Sequence, residues 1–140
     1  MPRVEAEREL LAARSDVWAF LAEPHHLPDW WPGLAAVEPD RRGLVPGARW
    51  LLRNSDHPTL LRRSRAEGML LVRRVEEPTF VAWHLTAGRI DVEIRLDATA
   101  GDRTRATLAV SGPWLLGFRR SLPRNALSRL HELCQTAARI

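Results

Sequence analysis

Apolar and polar positions alternate most cleanly along Arg89–Asp97, where Ile90, Val92, Ile94 and Leu96 interleave with Asp91, Glu93, Arg95 and Asp97. A period of two places these sets on opposite faces of a strand, one dry and one wet. The same reading makes strands of Ala35–Glu38, Ala48–Asn54, Leu60–Val75, Phe80–Thr86 and Arg103–Ser111. Turn residues separate them: Pro46-Gly47, Pro78, Ala87-Gly88 and Gly101-Asp102. Strands this closely spaced, joined by short turns, predict an antiparallel meander. Parity then assigns faces. The inward set is Trp50 and Leu52; Val81, Trp83 and Leu85; Ile90 to Leu96 at every second position; and Ala106, Leu108 and Val110.

The two ends of the chain read differently. Partial alternation over Val4–Leu11 predicts a first strand. A short helix follows, with Ser15 as its cap and Asp16 in its first turn, ending near Glu23 because Pro24 disfavours helix before it. His25–Trp31 forms one more short helical turn, closed by Pro32-Gly33. Near the C-terminus the apolar residues Ala126, Leu127, Leu130, Leu133, Cys134 and Ala137 step by threes and fours. Arg124, Ser128, Arg129, Glu132 and Gln135 fill the opposite face. This predicts a long amphipathic helix that begins between Trp114 and Arg124, with Pro123 marking a start or a kink, and runs to near Ala138.

The segments Ala12-Ala13-Arg14-Ser15-Asp16-Val17-Trp18 and Leu27-Pro28-Asp29-Trp30-Trp31-Pro32-Gly33 carry a family likeness. Val75-Glu76-Glu77-Pro78 before the strand holding Trp83 adds to it, as does the C-terminal helix. Together they resemble the START-like (SRPBCC) superfamily, in its polyketide cyclase/dehydrase-like branch, over nearly the whole chain. The resemblance implies an α+β helix-grip fold over residues 1–140 as a single domain. In that fold a curved antiparallel sheet of about seven strands wraps a long C-terminal helix, with two short helices after the first strand. It also implies a cavity between sheet and helix that binds a hydrophobic small molecule of polyketide, lipid or aromatic type. Cyclase or dehydratase chemistry there, homodimerisation, and a non-catalytic role in associating with RNA or protein all remain open. No family-wide catalytic residue transfers, and no cofactor is implied.

Composition adjusts this picture only slightly. Hydrophobic residues make up 45% of the 140 and charged residues 27%, which suits a folded domain with a core. All 21 basic residues are arginines, and 17 acids reduce the net charge to +4. With no lysine or tyrosine in the chain, the high isoelectric point says little about an anionic partner. Arginines cluster at Arg62, Arg63, Arg65, Arg73 and Arg74 and at Arg119, Arg120 and Arg124, but acids intersperse and no stacking aromatics alternate with them. Nucleic acid is therefore not the expected partner. The lone Cys134 excludes an internal disulfide framework and a multi-cysteine metal site. No apolar run approaches the roughly 20 residues of a membrane span, and the first residues lack a signal-peptide layout. The expected location is the cytoplasm.

Candidate site residues follow from face and chemistry. Trp30, Trp50, Trp83 and Leu108 are expected to border a cavity, with Trp114 and Phe118 near its mouth, because tryptophan offers a wide apolar face and one N–H donor. The competing reading is simple core packing. Arg8 shares parity with Val4, Ala6 and Leu10, so a strict strand aims its guanidinium inward, where it needs an anionic or carbonyl partner. One of Arg73 and Arg74 poses the same problem, for which a β-bulge or snorkelling is the plainer answer. Among the histidines, His84 falls on the outward face, and His25 pairs with Asp29 across one turn. His131-Glu132 begins like a zinc-protease motif, but Gln135 stands where the second histidine belongs, so no metal is expected. Cys134 lies on the apolar stripe of the last helix and reads as a buried structural thiol.

Overall fold

The computed structural model describes residues 3–54, 67–113 and 120–138. Seven strands form one sheet: β1 (Arg3–Leu10), β2 (Leu34–Pro39), β3 (Arg49–Asn54), β4 (Glu67–Glu76), β5 (Phe80–Leu85), β6 (Ile90–Thr99) and β7 (Arg103–Ser111). Helix α1 (Arg14–Ala22), a 3-10 turn (Pro24–His26) and helix α2 (Leu27–Trp30) lie between β1 and β2, and helix α3 (Leu122–Ala138) follows β7. The spatial order is β1-β7-β6-β5-β4-β3-β2, with every neighbouring pair antiparallel. The expected meander and helix-grip architecture are present. Residues Leu60–Ala66, read as the start of the long fourth strand, lie outside the described residues.

Register follows the alternation. Val4, Val110 and Val92 stand opposite one another across β1, β7 and β6, and Trp83 and Val72 continue the row across β5 and β4. Every residue assigned inward by parity, from Trp50 to Val110, is buried. The parity conflict in β4 resolves at a bulge between Val72 and Arg74, which leaves Arg73 as the extra residue. One additional residue lets Val72 face the core from one side of the bulge and Val75 pair with inward Val81 from the other. Both arginines stay exposed, and Arg74 lies over the Phe80 ring on the wet face at 5.3 Å.

Helix α3 covers part of the dry face, contacting β1, β7 and α2. Its buried stripe of Ala126, Leu127, Leu130 and Cys134 is the one the three-and-four spacing marks. No described helix is long and apolar enough to cross a membrane. Thr104, the one buried polar residue among those described, donates its hydroxyl to the Ala12 carbonyl at 2.8 Å. That bond ties the chain leaving β1 to the start of β7.

The first helix departs from expectation in one detail. Ser15 does not cap it: α1 begins at Arg14, and its N-cap is Ala13, which is extended and has no side-chain acceptor. The Ala13 carbonyl takes the amides of Asp16 and Val17, both at 3.0 Å. Sequence favours serine at a cap on propensity, but the turn out of β1 sets where the helix starts. Ser15→Ala should therefore change stability by less than about 0.5 kcal/mol, whereas Ala13→Ser should add about 0.5–1 kcal/mol by supplying the missing acceptor. Chemical denaturation of both variants checks this; a loss of about 1 kcal/mol for Ser15→Ala would place the cap at Ser15.

Candidate functional site

Where β2, β4 and β6 begin and β3 and β5 end, the dry face is not filled. A cleft of about 370 Å³ opens there. Its floor is Leu52, Leu85 and Ile90, inward residues of β3, β5 and β6. One wall is the turn Trp31-Pro32-Gly33-Leu34, which leads from α2 into β2, and the other is Leu122 and Asn125 at the start of α3. Gly33 sits at φ +81°, a conformation that lets the chain turn sharply there without steric cost. Gly68, Met69 and Ala87 close the far side.

Two small residues keep that side open. Gly68 pairs with inward Leu52, so its missing side chain is space on the cleft face. A Cβ built on it would lie 3.0 Å from the Ala87 Cβ. The approach is held by hydrogen bonds in both directions, since the Met69 amide donates to Thr86 Oγ1 at 2.8 Å and the Thr86 amide donates to the Met69 carbonyl at 2.9 Å.

Trp31 is the aromatic wall, and the parity reading missed it because it lies in a Pro-bounded turn with no strand period to assign it. Its ring meets Trp30 at 5.7 Å and Trp83 at 6.1 Å between centroids, and Trp30 meets Trp83 at 6.1 Å, all edge-to-face. Trp30, Trp83, Trp50 and Leu108 are at most 2% exposed and stand in the core rather than among the residues lining this cleft. Trp30 and Trp83 thus support the cleft wall through Trp31, and Trp50 shares its face with Leu52 two positions on. The Nε1 atoms of Trp30, Trp50 and Trp83 are buried without a hydrogen-bond partner among the described residues. Such a group costs about 1–3 kcal/mol, which edge-to-face aromatic packing offsets in part. Trp114 and Phe118 lie outside the described residues.

Arg8 does not reach a buried partner. It is exposed at the edge of the sheet, and its Nη1 donates to Ser128 Oγ on α3 at 3.3 Å. The inward parity holds, but β1 is an edge strand, so a long side chain can run out past the helix to water. Of the histidine expectations, His84 is outward as read, with Nδ1 2.8 Å from Asp91 Oδ1. The pairing with Asp29 belongs to His26 at 3.3 Å, while the His25 amide donates to the Glu23 carboxylate. The 3-10 turn carries His26, not His25, over Asp29. Among the described residues no three His, Cys, Asp or Glu side chains gather as a metal site. Cys134 is buried, and burial, with Asp16 adding to it, pushes its thiol up to about 11, so it stays protonated near neutral pH.

His131 lies near enough to Arg8 to feel its charge. Burial first, and the Arg8 guanidinium second, hold its imidazole below the ordinary range, while Glu132 pulls it back up. Folding therefore favours neutral His131, and this contribution to stability is lost as pH falls from the ordinary imidazole range toward the depressed value. Arg8→Gln should raise the His131 titration midpoint part of the way back, with burial keeping it below normal. An NMR titration of the ring protons checks this; an unmoved midpoint would separate the two side chains.

Against known proteins, a family model described as polyketide cyclase/dehydrase and lipid transport matches residues 1–135. A search of curated proteins found no significant match. Among solved structures, a conserved protein from Geobacillus kaustophilus superposes with a TM-score of 0.74 at 13% identity, covering 97% of each chain. CalU16 from Micromonospora echinospora superposes with a TM-score of 0.69 at 16% identity, covering 97% of this chain and 78% of its own. DynU16, from the dynemicin biosynthetic locus, gives 0.72 at 16% identity over 96% of this chain and 48% of its own length. At such identities the structures share a fold. The family match spans almost the entire sequence, and this chain belongs to the polyketide cyclase/dehydrase and lipid transport family.

Proposed function

We propose that the protein binds a hydrophobic small molecule, of polyketide, lipid or aromatic type, in the cleft between the open end of the sheet and the start of α3. The observation that carries this reading is the apolar floor of Leu52, Leu85 and Ile90 facing the Trp31 wall across about 370 Å³. That volume falls at the small end of ligand pockets, which run from roughly 300 to 1,000 Å³. Membership in a family of cyclases, dehydrases and lipid carriers supports the ligand class. One structural neighbour, DynU16, is described as a putative protein in the dynemicin biosynthetic locus, which is compatible with it. If a cyclisation takes place here, the cleft contributes by confining a flexible substrate in a reactive conformation. Of the clustered arginines that could serve a nucleic acid, Arg62, Arg63, Arg65 and Arg119 lie outside the described residues, and Arg74 is within ion-pair distance of Glu76.

A neutral bicyclic aromatic such as 2-methylnaphthalene should quench indole emission saturably, because Trp31 lies on the cleft wall. Gly68→Val should fill the cleft from its far side and weaken that binding by about tenfold or more, as a pocket too small for its ligand does. Its Cβ also crowds Ala87, so Leu122→Trp, which narrows the opposite wall, serves as the second variant, with thermal melts confirming the fold of each. Wild-type affinity in both folded variants would place binding elsewhere.

A further inference from the structure

We infer that Asn125 is the specificity-determining residue of this cleft and that it holds the hydrogen-bonding end of a ligand whose buried part is uncharged. The inference rests on the binding reading above. Asn125 is the only described lining residue whose side chain can both donate and accept; Trp31 adds a single indole N–H donor, and the rest of the described wall is hydrocarbon or thioether. Desolvating an ionised group against such a wall would be costly without an opposite charge, and no described lining side chain carries one. A neutral oxygen, by contrast, needs a single partner.

The position of Asn125 suits that role. It is exposed, in the first turns of α3, and its backbone amide is already used by the Ser121 carbonyl at 2.9 Å. Its side-chain Nδ2 donates to Ser121 Oγ at 3.4 Å. An amide has two donor hydrogens and one acceptor oxygen, so after that bond a donor and the acceptor remain. Asn125 can therefore donate to a carbonyl or accept from a hydroxyl. The bond to Ser121 restrains the side chain before a ligand arrives, which reduces the ordering cost of a second bond. The ligand enters with its apolar body toward Leu85 and Ile90 and leaves its oxygen at the mouth, on the α3 side.

The test is a cycle between protein and probe. Saturated bicyclic probes of equal shape avoid ring-current shifts: decalin, 1-decalone and 1-decalol. Side-chain amides occur only at Asn54, Asn125 and Gln135, so a 15N spectrum resolves the Asn125 pair with little overlap. 1-Decalone should move that pair and decalin should not. Asn125→Leu should weaken 1-decalone by about five- to tenfold while leaving decalin within about twofold, the size of one net hydrogen bond. Asn125→Asp, which accepts but cannot donate when ionised, should lose the ketone and keep the alcohol. Equal effects of Asn125→Leu on ketone and hydrocarbon, in a variant whose backbone spectrum is intact, would overturn the assignment to Asn125 while leaving the cleft as the binding site. Failure of all three probes to bind the wild-type protein would overturn the binding reading itself, and this inference with it.

Discussion

A seven-stranded sheet with one dry face must have that face covered, and most of this molecule is arranged to do so. The row from Val4 through Val110 and Val92 to Trp83 and Val72 leaves apolar side chains across five strands on the same side. One helix of 17 residues cannot span all of it. α3 packs over β1 and β7, and the far strands are left to α2 and the turn after it. There the edge-to-face cluster of Trp30, Trp31 and Trp83 supplies the bulk that a helix would otherwise provide. The cleft is where the two coverings do not meet.

This division of labour separates the packed core from the lining of the cleft. Leu130, Leu127 and Ile94 are fully enclosed, and truncating any one to alanine would cost about 2–5 kcal/mol for a leucine or isoleucine side chain in such a place. The lining residues Gly68, Ala87 and Asn125 bear little of that load. Asn125 stands at the rim and can vary without dismantling the core, whereas Gly68 is held to glycine by the 3.0 Å that a Cβ there would leave to the Ala87 Cβ. The wet face is stabilised differently, by exposed ion pairs such as Arg53–Glu38 at 3.0 Å and Arg74–Glu76 at 2.8 Å, each worth about 0–1 kcal/mol. Asp40 has a more local task. Its carboxylate accepts the Arg49 amide at 2.8 Å and the Arg42 amide at 3.1 Å, which clamps the β2–β3 loop and holds its pKa below the usual carboxylate range.

Face assignment was legible in the sequence because strand parity is a strict rule, and Ile90, Val92, Ile94 and Leu96 obey it without exception. Where the rule lapses, so did the reading. Arg73 is a bulge residue, and only pairing with β5 shows which of two adjacent arginines is the extra one. Trp31 has no period to follow, and its place on the cleft wall depends on how Pro32-Gly33 redirects the chain. Trp30, Trp50 and Trp83 carried the right composition for a pocket wall, but inward parity does not distinguish a residue at a cavity from one in the core behind it. Arg8 has inward parity too, and its escape to Ser128 follows from being on an edge strand, a fact of strand order.

The unfilled end of the dry face is proposed as a binding cleft for an apolar ligand. Backbone amide shift mapping during a titration with 2-methylnaphthalene tests it most directly. Binding in the cleft should give saturable shifts confined to the amides of Leu34, Gly68, Ala87, Ile90 and Asn125 and to the Trp31 indole N–H. Shifts centred on the wet face, or spread evenly without saturation, would contradict it.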